Sequence, residues 1–272
     1  MLSVRPEFVE INGRRLFCLR GQPDAGVAIR YRVLVAPPFA EELNKCRRLL
    51  ALTLANLGGN GCDVLLPDLY GTGDSAGELR DACWDDWIAD WSALAAWHAQ
   101  TTVGGQPAVL ALRSGAMLAG AALGRSPVLR GAHVVLAQPV FDGRRFLQQF
   151  LRLRVVAERM AGGAESTLAL ERQIAAGDVL EIGGYPLSSR VAEGLAASRV
   201  EASQLASAAA VVVLEFKSSG GSPSAPAQQL CAQLDGLGCA ANASVVAADQ
   251  FWATAEISAM PAVVAALVEA FD

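Results

Sequence analysis

Histidine is almost missing from this chain: of 272 residues, only His98 and His133 carry an imidazole. Chemistry that needs a base near neutral pH therefore has at most two side chains of the usual kind to draw on. Charged residues are sparse at 18%, against 53% hydrophobic, which excludes a disordered chain. No run of about 18 uninterrupted apolar residues occurs, so no membrane span is expected. The opening MLSVRPEFVEINGRR lacks the apolar stretch of a secretory leader, and the expected location is the cytoplasm. With 22 basic and 27 acidic residues the net charge is −5, which gives no electrostatic reason to expect nucleic acid as a partner. The six cysteines (18, 46, 62, 83, 231 and 239) show no C-x-x-C spacing. They read as reduced, mostly buried thiols, and neither a metal nor another cofactor is expected.

What is present is an alternation of short apolar runs with longer amphipathic ones. Residues 7–11 and 16–19 flank Asn12-Gly13, a hairpin signal. Strands are expected at 31–36, 63–67, 108–112, 133–137, 210–216 and 243–247. Helices are expected at 42–57, 84–98, 115–123 and 257–271. This rhythm predicts a mostly parallel sheet flanked by helices, with an antiparallel edge at its start. Residues 141–201 break it: they are rich in Arg, Leu and Ala and show no convincing strand. They read as a helical insertion, a lid or cap over the carboxyl edge of the sheet, splitting a core of 1–140 and 202–272. Residues 218–226 (SSGGSPSAP) read as a flexible loop. The ensemble resembles an α/β-hydrolase fold.

That fold carries its nucleophile on a tight strand-to-helix turn with small residues two positions before and after it. The candidate turn is Ala111-Leu112-Arg113-Ser114-Gly115-Ala116. With Ser114 at the tip, Leu112 would occupy a position that demands a small side chain. With Arg113 at the tip, Ala111 and Gly115 fit, so that register is favoured. A guanidinium cannot act as a nucleophile, but it can grip a carboxylate or phosphate through two parallel hydrogen bonds. The base of such a triad belongs in the loop after the last strand. Here that loop reads Ala247-Ala248-Asp249-Gln250-Phe251-Trp252, with no histidine. A working Ser-His-Asp triad is therefore not expected.

Charge gathers at the same edge. Glu41 and Glu42 suit a helix N-terminus; alternatively, one of them projects over the edge and pairs with Arg113. Asn44 lies one turn further on. Asp68 and Asp74, in the glycine turn after residues 63–67, read as structural groups bonding loop amides. Glu215 stands near the usual place of a triad acid, with no histidine to orient. Trp252 reads as core packing or pocket wall, and Glu256 as a helix-start carboxylate or a second partner for an arginine.

Five stretches carry a resemblance: PPFAEELNKCRR from Pro37, LLPDLYGTGDSAGE from Leu65, WDDWIADW from Trp84, LRSGA from Leu112 and FWATAEI from Phe251. They are similar to the second of the two exosortase A system-associated hydrolase families, an α/β-hydrolase offshoot found beside exopolysaccharide and protein-sorting genes in Gram-negative bacteria. The resemblance implies that an arginine in the elbow is a family trait; here Ala111 replaces the first elbow glycine.

Three functional expectations follow. The first is a non-catalytic or atypical member that binds a small anionic, acyl or carbohydrate-type ligand at Arg113, with Glu41, Glu42, Asn44, Trp252 and Glu256 around it. The second is an ester or thioester hydrolase using Ser114, with Glu41 or Glu42 as an unusual base. The third is an accessory protein of exopolysaccharide export acting through a surface contact.

Overall fold

Asn12 and Gly13 both adopt positive φ, 50° and 74°, as in the mirror-image turns whose twist matches two antiparallel strands. They join β1 (Ser3–Ile11) to β2 (Arg14–Gln22) in unbroken register from Ile11↔Arg14 to Ser3↔Gln22. The computed structural model describes residues 3–254 and 260–272. After the hairpin come β3 (Tyr31–Ala36), α1 (Glu41–Gly59), β4 (Cys62–Pro67), α2 (Trp84–Thr101), β5 (Gln106–Leu112), α3 (Gly115–Leu123) and β6 (His133–Ala137). The segment that follows holds α4 (Gly143–Met160), α5 (Thr167–Ala175), β7 (Leu180–Ile182), β8 (Tyr185–Leu187), α6 (Ser189–Ala197) and α7 (Ala202–Leu205). The chain closes with β9 (Ala210–Lys217), α8 (Ala225–Gly236), β10 (Ala240–Ala247) and α9 (Pro261–Glu269).

Among the described residues, eight strands form one sheet in the order β1-β2-β4-β3-β5-β6-β9-β10. From β4 to β10 all neighbours are parallel, and β2 joins β4 antiparallel through Cys18↔Pro67 to Gly21↔Val64. Alternation along β5 sends Val109 and Ala111 into one core with Trp87, Trp91 and Leu94 of α2. Ala108, Leu110 and Leu112 enter the other, with Leu49, Leu50 and Leu54 of α1 and Leu267 of α9. Each of those fully buried leucines contributes roughly 1.5–3 kcal/mol by leaving water.

Three expectations need correction. Residues 141–201 are not wholly helical: β7 and β8 pair antiparallel around Gly183-Gly184, whose φ values of 58° and 85° suit a two-residue hairpin. Strands of three residues are too short to leave a period in the sequence. Residues 218–226 are not a free loop throughout, because the Ser224 hydroxyl accepts the Ala227 N–H and starts α8 with Pro226 in its first turn. The closing helix, expected from residue 257, does not include Met260, whose φ is 42°, and runs from Pro261 to Glu269; residues 257–259 of the expected start lie outside the described residues.

The segment between β6 and β9 leaves and rejoins the sheet at one place. Asp142 caps α4 through the Arg145 N–H and bridges to Arg199, and Val200 N–H donates to Phe141 O at 3.2 Å. Its apolar side rests on the loop after β3: Phe150 and Phe146 lie edge-on to Phe39, with ring centroids 5.3 and 6.5 Å away.

Candidate functional site

The turn after β5 settles the register. Arg113 has φ 56°, the left-handed conformation of an elbow tip, and Ser114 follows as the first residue of the bend into α3. A Cβ at Gly115 would stand 2.1 Å from Ala36 O and 2.8 Å from Pro37 O, so only glycine fits two places after the tip formed by Ser114's predecessor. The tip is held by Arg113 N–H donating to Ala137 O and Val140 N–H donating to Arg113 O. Two flanking turns share the strain: Ala40, after β3, has φ 52°, and Gln138, after β6, has φ 44°. Three non-glycine residues in this region, each costing about 1–2 kcal/mol, stand at the carboxyl ends of three neighbouring strands.

Around Arg113 the donors are distributed with care. Nη2 and Nε donate to the two oxygens of Glu42 at 2.8 and 3.2 Å, and Nη1 donates to Gln138 O at 3.3 Å. A guanidinium has five N–H groups, so two remain without a partner among the described residues. Trp252 stands against the cation, its ring centroid 4.6 Å from the guanidinium carbon, and meets Phe251 edge-on at 5.0 Å. Trp252 is therefore a wall, one of the two roles expected of it, and in addition a stacking platform for Arg113, which was not expected. Burial pushes the Glu42 carboxyl above its ordinary range, against the pull of the Arg113 charge and hydrogen bonds and of Lys45. Glu41 turns instead to Lys45 at 3.1 Å. Both glutamates, Arg113 and Trp252 line a cavity of about 330 Å³ together with Phe146 and Phe150 of α4.

Ser114 faces elsewhere. Its hydroxyl is buried and accepts the Phe39 N–H at 2.9 Å. It lines a second cavity, of about 200 Å³, walled by Phe39, Leu69, Trp84, Trp87 and Leu118. Phe39 thus borders both chambers. Asn44 belongs to the second one, donating to Tyr185 OH at 2.5 Å, and does not join Arg113. Glu256 lies outside the described residues.

Neither imidazole is near. His98 Nε2 lies 3.1 Å from Asp63 Oδ1, at the start of β4 and hence at the opposite edge of the sheet. There Asp63 also receives Arg20, Gln22 and Thr102. His133 Nε2 pairs with Ala270 O at 2.7 Å. Glu215 accepts the N–H and hydroxyl of Ser224 at 2.6 and 2.5 Å and so anchors the start of α8. Asp68 accepts the Asp74 N–H at 3.0 Å and the Arg47 guanidinium at 3.1 Å, as a structural carboxylate does. Burial raises the thiol of Cys62 to about 11 and that of Cys18 to about 12, so neither is a thiolate at neutral pH. Among the described residues no three metal-ligating side chains of the His, Cys, Asp and Glu types converge. The sequence reading missed Gln138 and Phe39. A polar residue wedged between a strand and Pro139 was the available sign of the first; nothing marked the second.

No family model matches this chain, and no curated protein does. Solved structures do. Est1E from Butyrivibrio proteoclasticus, solved with ferulic acid bound, superimposes with a TM-score of 0.64 at 14% identity, covering 97% of this chain and 96% of that one. A thioesterase domain from the curacin biosynthetic pathway gives 0.57 at 14% identity over 99% of both chains. A thermophilic esterase from Thermogutta terrifontis gives 0.54 at 16% identity over 89% of both. The fold is that of the α/β-hydrolases.

Proposed function

We propose that this chain is an atypical α/β-hydrolase-fold protein of the exosortase A-associated type, which binds a small anionic acyl or carbohydrate-type ligand and has no working Ser-His-acid triad. The observation that carries it is Arg113 at the position of the nucleophile and in the lining of the 330 Å³ chamber, with two guanidinium N–H groups that have no partner among the described residues. A carboxylate or phosphate takes that fork while Glu42 keeps the opposite edge of the same group. Trp252 and the Phe146–Phe150 wall offer apolar surface to the rest of the molecule. The arginine in the elbow agrees with the family resemblance.

Hydrolysis through Ser114 finds less support. Its hydroxyl bonds an amide where a base would be needed, and Glu42 is engaged by Arg113. A fluorophosphonate probe is expected to leave the protein unlabelled, and Ser114→Ala to leave background hydrolysis of short acyl esters unchanged. Titration calorimetry with octanoate, glucuronate and phosphate is expected to give binding that Arg113→Gln weakens by tenfold or more, on the order of one charge-assisted hydrogen bond. Labelling at Ser114, or anion binding indifferent to Arg113→Gln, overturns the proposal.

A further inference from the structure

The outer side of α4 combines two features that a surface helix does not need for its own packing. Its inner face is used up: Phe146, Leu147, Phe150, Leu151 and Val155 are buried. Yet Leu153, Val156 and Met160 stand in solvent, 48%, 56% and 86% exposed. They recur at spacings of three and four, so they form one stripe. Along one border of that stripe, seven residues apart, lie the exposed Arg145, Arg152 and Arg159, none of which has an ion-pair partner among the described residues. Residues 143–160 hold five arginines and one glutamate, +5 − 1 = +4, in a chain whose net charge is −5. Of the five, Arg154 is the one committed inward, to Glu165 at 2.8 Å.

From these observations we propose that the outer face of α4 docks on an anionic lipid surface. An apolar stripe bordered by free arginines is the pattern of a helix lying in the headgroup plane, with the stripe in the acyl boundary and the guanidinium groups on lipid phosphates. A second copy of this chain fits poorly, because a two-fold contact would bring three unpaired arginines against the same three. No described helix is long and apolar enough to cross a membrane, so the contact is peripheral. The position matters as well: Gln149, Phe150 and Leu153 line the Arg113 chamber, so docking turns that chamber toward the lipid. The inference stands on the helix surface alone and does not require the Arg113 reading.

The test is flotation of the full chain with vesicles of phosphatidylcholine alone and of phosphatidylcholine with one-third phosphatidylglycerol. Binding is expected to the anionic vesicles only, and to fall steeply between about 0.1 and 1 M salt as screening tightens. Two variants divide the surface: Arg145→Gln/Arg152→Gln/Arg159→Gln removes charge, and Val156→Ser/Met160→Ser removes apolar contact. Each is expected to weaken vesicle binding by tenfold or more, about fivefold being due to each arginine near the surface. Leu237→Ser, at an exposed leucine beyond α8, serves as the control and is expected to bind as the parent does. No flotation with anionic vesicles, equal binding to both compositions, or binding unaltered in the two α4 variants overturns the proposal. So does a parent protein that is a dimer by light scattering and becomes a monomer in Val156→Ser/Met160→Ser, since the stripe is then covered by a second copy.

Discussion

Glu42 holds two of the five N–H donors of Arg113, at 2.8 and 3.2 Å, so the cation at the elbow tip is already tied to the first turn of α1. The pair is largely buried, with 12% and 18% of the two side chains exposed. Removing either member leaves the other without its counter-charge in a place that water reaches poorly. Glu42→Gln and Arg113→Gln should each lower unfolding free energy by about 2–4 kcal/mol. In the double variant the losses should fall short of their sum by about 1–3 kcal/mol. Urea unfolding of the four proteins measures this, and strictly additive losses would show that the pair is not coupled.

The second prediction concerns acid. Burial holds His98 below the ordinary imidazole range, so the folded chain takes up that proton less readily than the unfolded one. Stability from this source is full above about pH 6.5 and declines as pH falls below it. Asp63 behaves differently. Burial alone would raise its carboxyl, but hydrogen bonds from His98 and Arg20 and the bond from Gln22 hold it well below the usual range. Its contribution is full above about pH 4 and is lost only in stronger acid. Urea midpoints should therefore begin to drop as pH falls from 7 to 5, with the loss of unfolding free energy approaching about 1.4 kcal/mol per pH unit for the one proton the unfolded chain takes up, and His98→Gln should flatten that interval while keeping the later fall. A parent midpoint constant from pH 7 to 5 would contradict the account.

Third, the bend after Arg113 should not tolerate one carbon more. Gly115→Ala drives a methyl onto the Ala36 and Pro37 carbonyls, which belong to backbone and cannot swing aside. The expected loss is about 3 kcal/mol or more. Ala111→Gly, at the buried position before the tip, should cost only about 1 kcal/mol. Thermal melts of both compare them directly; similar losses would mean the close approach is not what restricts the turn.

Much of the architecture was legible because long elements declare themselves. The central parallel strands β5 and β6 are nearly continuous apolar runs, and α3 and β6 fall where the sequence puts them, at Gly115–Leu123 and His133–Ala137. The elbow register was legible for a steric reason, since Leu112 could not stand where a small side chain is required. Contacts made across the fold were not. Nothing local says that Glu42, not Glu41, reaches Arg113, because the two are adjacent and only the helix phase decides. The hydrogen bond from Phe39 N–H to Ser114 joins residues 75 positions apart. The stacking of Trp252 on Arg113 likewise depends on where β10 delivers its loop.

The hydrogen bond between Ser114 and Phe39 bears on what a change at the elbow tip could achieve. In an acyl-transfer enzyme of this architecture, an amide of the loop after β3 helps receive the negative oxygen of the tetrahedral intermediate. Here a neighbour's hydroxyl already occupies the Phe39 amide, an indole from the loop after β10 stacks on the tip, and Glu215 serves the start of a helix. Arg113→Ser would change neither the first nor the last of these. One substitution at the tip therefore frees no amide and supplies no base, so ester turnover is not a single codon away.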